Sequence, residues 1–310
     1  MKSIKSAIVT GATGVVGTAL IKELVSQNIE TLVLTRKNGR IEKIPTDPLV
    51  KIEFCGLEEL ANFSVSDKKY DVFFHLGWAG TYGEDRSDLT KQELNIRYTL
   101  DAVKLAHKSG CKVFIGTGSQ AENSKLKKGE KVSHHSPENP VSAYGKAKLQ
   151  AGKGSRELCK KLGLRHNWCR ILSVYGPADA PYTMIMSSLI KMLKNQDCNF
   201  TSAEQQWDYI FSGDVAKALL AIAKNGVDGS VYPIGSGKTK LLKDYINQMA
   251  EATETTAKCN FGAIEYYPDQ PMFLCADIEN LTEDTGFVPK TDFKDGIKET
   301  IKYIQKNNLG

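Results

Sequence analysis

The sequence predicts an α/β fold: a doubly wound parallel sheet capped by a smaller C-terminal domain. Three observations carry this. Short apolar strands alternate with helical patterns through the first half, the pattern of a parallel sheet covered on both faces. A glycine-rich turn joins the first strand to the first helix. The 310 residues, 41% apolar and 25% charged, also suffice for two closely joined domains with a sizeable core.

Ala7-Ile8-Val9-Thr10 reads as a short buried strand, and Val16, Leu20 and Leu24, at i, i+4 and i+8, set one face of the helix after it. Thr31–Leu34 is the second strand and Val50–Phe54 the third. Val72–Leu76 is the fourth, and Lys112–Ile115 the fifth, after a helix around Asn95–Lys108. From about residue 173 the alternation breaks. Helices are predicted near Met184–Lys194, Asp214–Lys224, Leu241–Thr253 and Asp295–Lys306, with a loop through Asp197–Gln206. Residues 1–172 therefore form the expected sheet domain, to which 207–236 return, and 173–310 form mainly the cap.

Composition excludes several function classes. The net charge of +5 comes from 41 basic and 36 acidic residues, dispersed along the chain. The run Lys125-Leu126-Lys127-Lys128 is punctuated by Glu122 and Glu130, and no basic stripe with interleaved aromatics points to nucleic acid. A weakly positive surface still suits an anionic small substrate. The longest apolar runs, such as Val72–Phe74 and Leu219–Ala223, fall far short of the roughly 20 residues that span a bilayer. Met1-Lys2-Ser3-Ile4-Lys5 runs straight into a strand with no cleavage site, so a cytoplasmic protein is expected. Seven cysteines without a CxxC spacing read as reduced, partly buried thiols. His134-His135 sit side by side without an acidic cluster, and no metal site is expected.

Thr10-Gly11-Ala12-Thr13-Gly14-Val15-Val16-Gly17 follows the first strand and opens the first helix. In this setting Gly11 makes the tight turn, Gly14 lets the main chain approach a pyrophosphate, and Gly17 lets the helix lie near the sheet; helix N–H groups then face the anion. The spacing is GxxGxxG, and the strand before it and helix after it are what a Rossmann-type dinucleotide site demands. An acidic residue at the end of the second strand would bind a free ribose 2′-hydroxyl. This chain has Arg36 and Lys37 there, which favour a 2′-phosphate and hence NADP(H) over NAD(H).

Gly116-Thr117-Gly118-Ser119 lies at the carboxyl end of the fifth strand, where ligands gather in such sheets. Tyr144 and Lys148 form a YxxxK pair one helical turn apart. A tyrosine is a poor acid or base at neutral pH, and an adjacent ammonium favours its anion. Ser119 is placed to polarise a substrate oxygen and steady a developing alkoxide. His75 is expected to pack at the strand end under the cofactor.

These residues resemble an extended short-chain dehydrogenase/reductase, of the epimerase/dehydratase class that modifies nucleotide-activated sugars. The resemblance covers essentially the whole length. It includes His75-Leu76-Gly77, Asn95, Arg170 to Tyr175-Gly176-Pro177, Asp208-Tyr209-Ile210 to Asp214-Val215-Ala216, and Ile234-Gly235-Ser236-Gly237. It implies that Ser119, Tyr144 and Lys148 are catalytic. It implies that Gly11, Thr13, Gly14, Val15, Val16, Gly17, Arg36, Lys37, Leu76, Gly77, Asn95, Thr117, Tyr144 and Lys148 hold the cofactor. Trp78, Gln120, Ser173, Tyr175 and Trp207 are the substrate candidates. Tyr182 is a further aromatic that could stack on a sugar or base.

Departures narrow the reaction. Dehydratases of this class follow a threonine with Asp-Glu, whereas Ser119 is followed by Gln120-Ala121. Epimerase-reductases like GDP-fucose synthase place a cysteine where Ala121 stands. Many relatives have arginine at Trp207 and asparagine at Ser173, and the Tyr-Gly after the serine is replaced by Asn123-Ser124. The segment Thr201–Tyr209 resembles that of NDP-4-keto-6-deoxyhexose reductases. The expectation is NADPH-dependent reduction of the 4-keto group of a nucleotide-diphospho-6-deoxyhexose, in cell-surface polysaccharide sugar biosynthesis, by a homodimer. The alternatives are a 4-epimerase or 4,6-dehydratase with tightly bound NAD(P), and a cofactor-sensing protein without catalysis.

Overall fold

Seven parallel strands form the centre of the computed structural model, which describes residues 3–65, 68–123, 126–127, 129–268 and 270–309. Met1, Lys2, Ser124, Lys125 and Lys128, named above, lie outside the described residues. In chain order the sheet domain begins with β1 (Ser6–Thr10), α1 (Val15–Ser26), β2 (Glu30–Thr35), β3 (Val50–Phe54) and β4 (Val72–His75). It continues with α2 (Leu89–Lys108), β5 (Val113–Ser119), α3 (Ala143–Leu162) and β6 (Arg165–Ile171). β7 (Ser173–Tyr175), α4 (Met184–Leu193), β8 (Cys198–Phe200), β9 (Gln206–Trp207) and β10 (Tyr209–Phe211) follow outside the sheet. α5 (Ser212–Asn225) and β11 (Val231–Ile234) return to it. The chain ends with β12 (Lys240–Leu241), α6 (Leu242–Thr253), β13 (Cys259–Phe261), β14 (Phe273–Leu274), α7 (Glu279–Thr285) and α8 (Phe293–Lys306).

The strand order is β11-β6-β5-β4-β1-β2-β3, all parallel. The order reverses between β1 and β4, which opens a crevice at their carboxyl ends. Alternation within strands sorts the two faces: Ala7, Val9, Phe74 and Ile115 pack with α1 and α5, while Ile8, Phe73 and Phe114 pack on the α2 and α3 side. α2 starts at Leu89, six residues before the periodicity shows, because the Asp88 carboxylate accepts the Lys91 N–H at 3.0 Å. Ser142 caps α3 through the Gly145 N–H at 3.0 Å, and Gly163 closes it at φ +72°. This is a Rossmann-type α/β fold.

The cap has its own apolar core, built from α4, α6, α8 and Tyr175. The loop expected through 197–206 contains β8, whose Cys198 and Phe200 are buried while Asn199 faces out; it pairs in parallel with β13. Three residues are too few for alternation to stand out in a sequence. Lys43 crosses between the two parts of the chain, donating to the Ala178 carbonyl at 3.0 Å. Among the described residues no helix is long and apolar enough to cross a membrane, and no three His, Cys, Asp or Glu side chains are grouped to hold a metal ion. All seven cysteines are free; six are buried, and burial pushes the Cys55, Cys111 and Cys159 thiols up to about 12.

Candidate active site

A cleft of about 940 Å³ runs from the β1–α1 turn to the start of the cap. Gly11, Thr13, Gly14, Val15, Val16 and Gly17 line one end of it. Gly11 sits at φ +73°, and a Cβ there would lie 2.6 Å from the Gly77 nitrogen of the neighbouring strand end. A Cβ on Gly17 would lie 2.2 Å from the Gly11 carbonyl oxygen, so this glycine is demanded by helix-to-turn packing. Gly14 differs: a Cβ there would meet only that same oxygen, at 3.6 Å. The protein itself leaves this space open. No side chain caps α1 and no carboxylate occupies its first turn, so its amide groups face the cleft unneutralised. This cradle fits a dinucleotide pyrophosphate.

Arg36 lies on the cleft wall at the end of β2, and Arg40 lies beside it, a cation that the sequence reading did not single out. Lys37 is not among the residues that line the cleft. Leu76, Gly77 and Thr117 line the middle. Asn95 does not: it is buried, accepting the Ala79 N–H at 2.8 Å and donating to the Ala79 carbonyl at 2.9 Å, so it fixes the loop after β4 from behind. His75 is bracketed by Thr10 at 3.0 Å and Thr99 at 3.3 Å, and burial lowers its pKa to about 3. A neutral ring with both nitrogens engaged leaves His75 a packing and hydrogen-bonding role.

Ser119, Tyr144 and Lys148 meet at the centre of the cleft. Lys148 is buried; its ammonium donates to the Thr117 carbonyl at 2.7 Å and lies 3.7 Å from the Trp78 ring centroid. Burial lowers its pKa to about 7, opposed by the charge of Glu122. Burial pushes the Tyr144 phenol up, while the Ser119 hydroxyl and the Arg86 guanidinium pull it the other way. Arg86 Cζ lies 4.3 Å from the Tyr144 ring centroid, and Lys148 Nζ lies 5.9 Å from it. Arg86 thus joins Lys148, the cation expected beside the phenol. The Ser119 hydroxyl accepts the Ala121 N–H at 3.2 Å.

Of the substrate candidates, Trp78, Gln120 and Ser173 line the cleft, as does Tyr182, which stands edge-on to Tyr82 at 4.9 Å. Tyr175 and Trp207 do not. Tyr175 is buried in the cap core and donates to the Phe293 carbonyl at 3.3 Å. Trp207 donates its indole N–H to the Ser173 hydroxyl at 2.8 Å. The aromatic Tyr175 anchors the cap because its ring fills a hydrophobic cluster, which removes it from the ligand's reach. Asp208, in the motif after Trp207, accepts the N–H groups of Ser236, Gly237 and Ala276 and is likewise structural.

Two residues near the centre escaped the sequence reading. Arg86 sits in a short charged turn that resembles any solvated loop. Glu122 had a legible mark: Ser119-Gln120-Ala121-Glu122 is a capping box, and the Glu122 carboxylate accepts the Ser119 N–H at 2.7 Å.

Comparison with known proteins shows the family and the fold. The family pattern of the NAD dependent epimerase/dehydratase family matches residues 7–235. CDP-abequose synthase of Salmonella muenchen is 27% identical over 305 residues, covering 96% of this chain and 97% of that protein. Human dTDP-D-glucose 4,6-dehydratase is 24% identical, covering 98% and 91%. UDP-glucose 4-epimerase of Thermotoga maritima, solved with UDP-glucose, superposes with a TM-score of 0.87 at 20% identity over 98% of this chain and 99% of that one. The Bordetella bronchiseptica enzyme WbmF, solved with NAD+, superposes at 0.81 with 24% identity over 99% and 94%. The chain belongs to the NAD dependent epimerase/dehydratase family.

Proposed function

We propose that this family member reduces the 4-keto group of a nucleotide-diphospho-6-deoxyhexose with NADPH. The observation that carries the reading is the proton inventory beside Ser119. Tyr144 is a buried phenol held in its protonated form, Gln120 and Ala121 occupy the next two positions, and the adjacent carboxylate of Glu122 is fully buried against Arg170. An elimination of water needs its own acid and base. A ketone reduction needs one proton donor.

The residues lining the turn from Gly11 to Gly17, with Leu76, Gly77 and Thr117, would hold the dinucleotide, and Arg36 would meet a 2′-phosphate. The cofactor, when bound, supplies the hydride. Tyr144 gives its proton to the carbonyl oxygen as negative charge gathers there and regains one from solvent. Ser119 donates a hydrogen bond to the same oxygen and stabilises the alkoxide. Lys148, anchored on the Thr117 carbonyl, sets its amino group beside Tyr144 and Trp78, and in its ammonium form it stabilises the phenolate left when the proton departs. Ser173 and Gln120 would contact the sugar or its nucleotide. Because two relatives are CDP-abequose synthases, a CDP-linked 4-keto-6-deoxyhexose is the first substrate to assay, beside its UDP and dTDP counterparts.

The test is incubation of purified protein with each keto sugar and NADPH or NADH, and with the parent 4-hydroxy nucleotide hexoses without added cofactor. Stoichiometric NADPH oxidation with a product two mass units heavier supports the reading. A product isomeric with its substrate, or lighter by one water, formed without net cofactor oxidation would replace it with epimerisation or dehydration. A homodimer formed through helices of the sheet domain belongs to the same reading and is checked by light scattering.

A further inference from the structure

Beneath Ser119 lies a buried charge that the chemistry above leaves unused. Glu122 is fully buried. One of its oxygens accepts the Ser119 N–H at 2.7 Å, the other accepts Arg170 Nε at 2.9 Å, and both lie 3.1 Å from the Trp168 indole nitrogen. Arg170 donates onward to Glu138 at 2.5 Å, and Glu138 pairs at 2.9 Å with Lys153 on α3, the helix that carries Tyr144. Capping a three-residue turn explains only the first of these bonds. A carboxylate this deep is costly to bury, and an amide could accept the same N–H.

The packing ties this charge to the reacting groups. A Cβ on Gly118 would lie 2.3 Å from a Glu122 oxygen, and one on Gly145, next to Tyr144, would lie 2.1 Å from the Ala121 carbonyl oxygen. The turn holding Glu122 is therefore wedged between β5 and the first turn of α3. We propose that Glu122 is a positioning residue whose buried carboxylate, ion-paired with Arg170, fixes Ser119 against Tyr144 and sets a negative charge beside the Lys148–Tyr144 pair. The proposal rests on the reading of Tyr144 as the proton donor.

The groups facing this pair are few. Lys148 has Tyr144 on its own helix, His75 from β4, Trp78 from the loop after β4, and Glu122. Tyr144 has Ser119, Arg86, Trp78, Tyr82 and Glu122. His75 is neutral above about pH 3, so Glu122 is the anion that faces both. A fixed anion favours the ammonium form of Lys148 and disfavours the phenolate of Tyr144. Its removal lowers both titrations.

The experiment compares wild type, Glu122→Gln, the charge-balanced pair Glu122→Gln with Arg170→Gln, and Trp168→Phe, which removes a donor to Glu122 but no charge. Two readouts are used. One is the alkaline limb of kcat for whichever nucleotide-sugar turnover the wild type shows. The other is the pH midpoint of Trp78 fluorescence in cofactor-free protein, taken as the difference from matched Trp78→Phe variants, because the Lys148 ammonium sits on that ring. The expected result is a kcat about tenfold lower in both Glu122 variants, with limb and midpoint moved down by about one pH unit. Trp168→Phe lowers kcat without moving either. Unmoved titrations in a folded Glu122 variant overturn the proposal. So does an equal shift in Trp168→Phe, or failure of both Glu122 variants to fold, which would assign the residue to the core alone. A wild-type product other than the reduced sugar overturns the functional reading instead, and the fluorescence midpoint still decides this one.

Discussion

Replacing Gly14 and Gly17 by alanine separates what the turn does for the protein from what it does for its ligand. At Gly17 the new methyl would lie 2.2 Å from the Gly11 carbonyl oxygen and 2.7 Å from the Ala12 Cα. Both are backbone atoms, so the turn itself must shift, and overpacking of this kind costs about 1–3 kcal/mol. At Gly14 the methyl meets one oxygen at 3.6 Å, and the residue has extended backbone angles of φ −84° and ψ 169° that alanine also adopts. Two opposed terms remain there. Restricting the unfolded chain stabilises by about 0.4–1 kcal/mol, and alanine is a poorer helix N-cap than glycine by about the same amount. Gly14→Ala should therefore melt within about 2 °C of wild type, while Gly17→Ala melts several degrees lower. Calorimetric titration with NADPH should show binding weakened about tenfold or more in both, since a methyl at 14 enters the space kept for the pyrophosphate. Wild-type NADPH affinity in Gly14→Ala would refute the idea that the cofactor backbone comes close at that position.

Tyr144→Phe should bind NADPH normally and lose about two or more orders of magnitude in kcat, measured as NADPH oxidation with a keto sugar. Arg36→Ala should weaken NADPH binding about tenfold, the low end for a charge-assisted phosphate contact because Arg36 is exposed, and leave NADH binding unchanged; equal effects on both cofactors would remove the case for 2′-phosphate selection. His75 and His166 are buried with pKa values lowered to about 3, whereas in the unfolded chain they protonate near 6.5. Their contribution is complete above pH 6.5 and is lost as pH falls toward 3, at up to about 1.4 kcal/mol per pH unit for each. The ring of His166 stacks between Phe114 and Trp168, so His166→Phe should flatten the fall in melting temperature between pH 6 and 4.

The first half of the fold was legible because its periodicity is local. Ile8, Val33, Phe73 and Phe114 announce buried strands from their immediate neighbours alone. β6 was not, since Arg165–Ile171 carries His166, Asn167 and Arg170, polar residues that enter the core only because Ser155, Val227 and Glu122 on other elements satisfy their side chains. Site residues divide the same way. Those defined by a turn or a helical repeat, Gly11 to Gly17 and the Tyr144–Lys148 pair, fall where their spacing placed them. Tyr175, Trp207 and Asn95 kept their motif positions yet face inward, because each found a backbone or hydroxyl partner that no spacing records. Glu122 was half visible: its cap was written in four consecutive residues, but its partnership with Arg170 spans 48 positions.

The return of β11 has a consequence for anyone who would dissect the molecule. The polypeptide leaves the sheet after Ile171 and re-enters at Val231 to cover the flank of β6, with α5 laid over α1 on the way. Truncation at residue 172 would strip a protective border from a strand of bulky side chains and invite it to zip onto another chain. A chimera that trades one lid for another must accordingly be spliced at two junctions, with the segment between them kept from the parent.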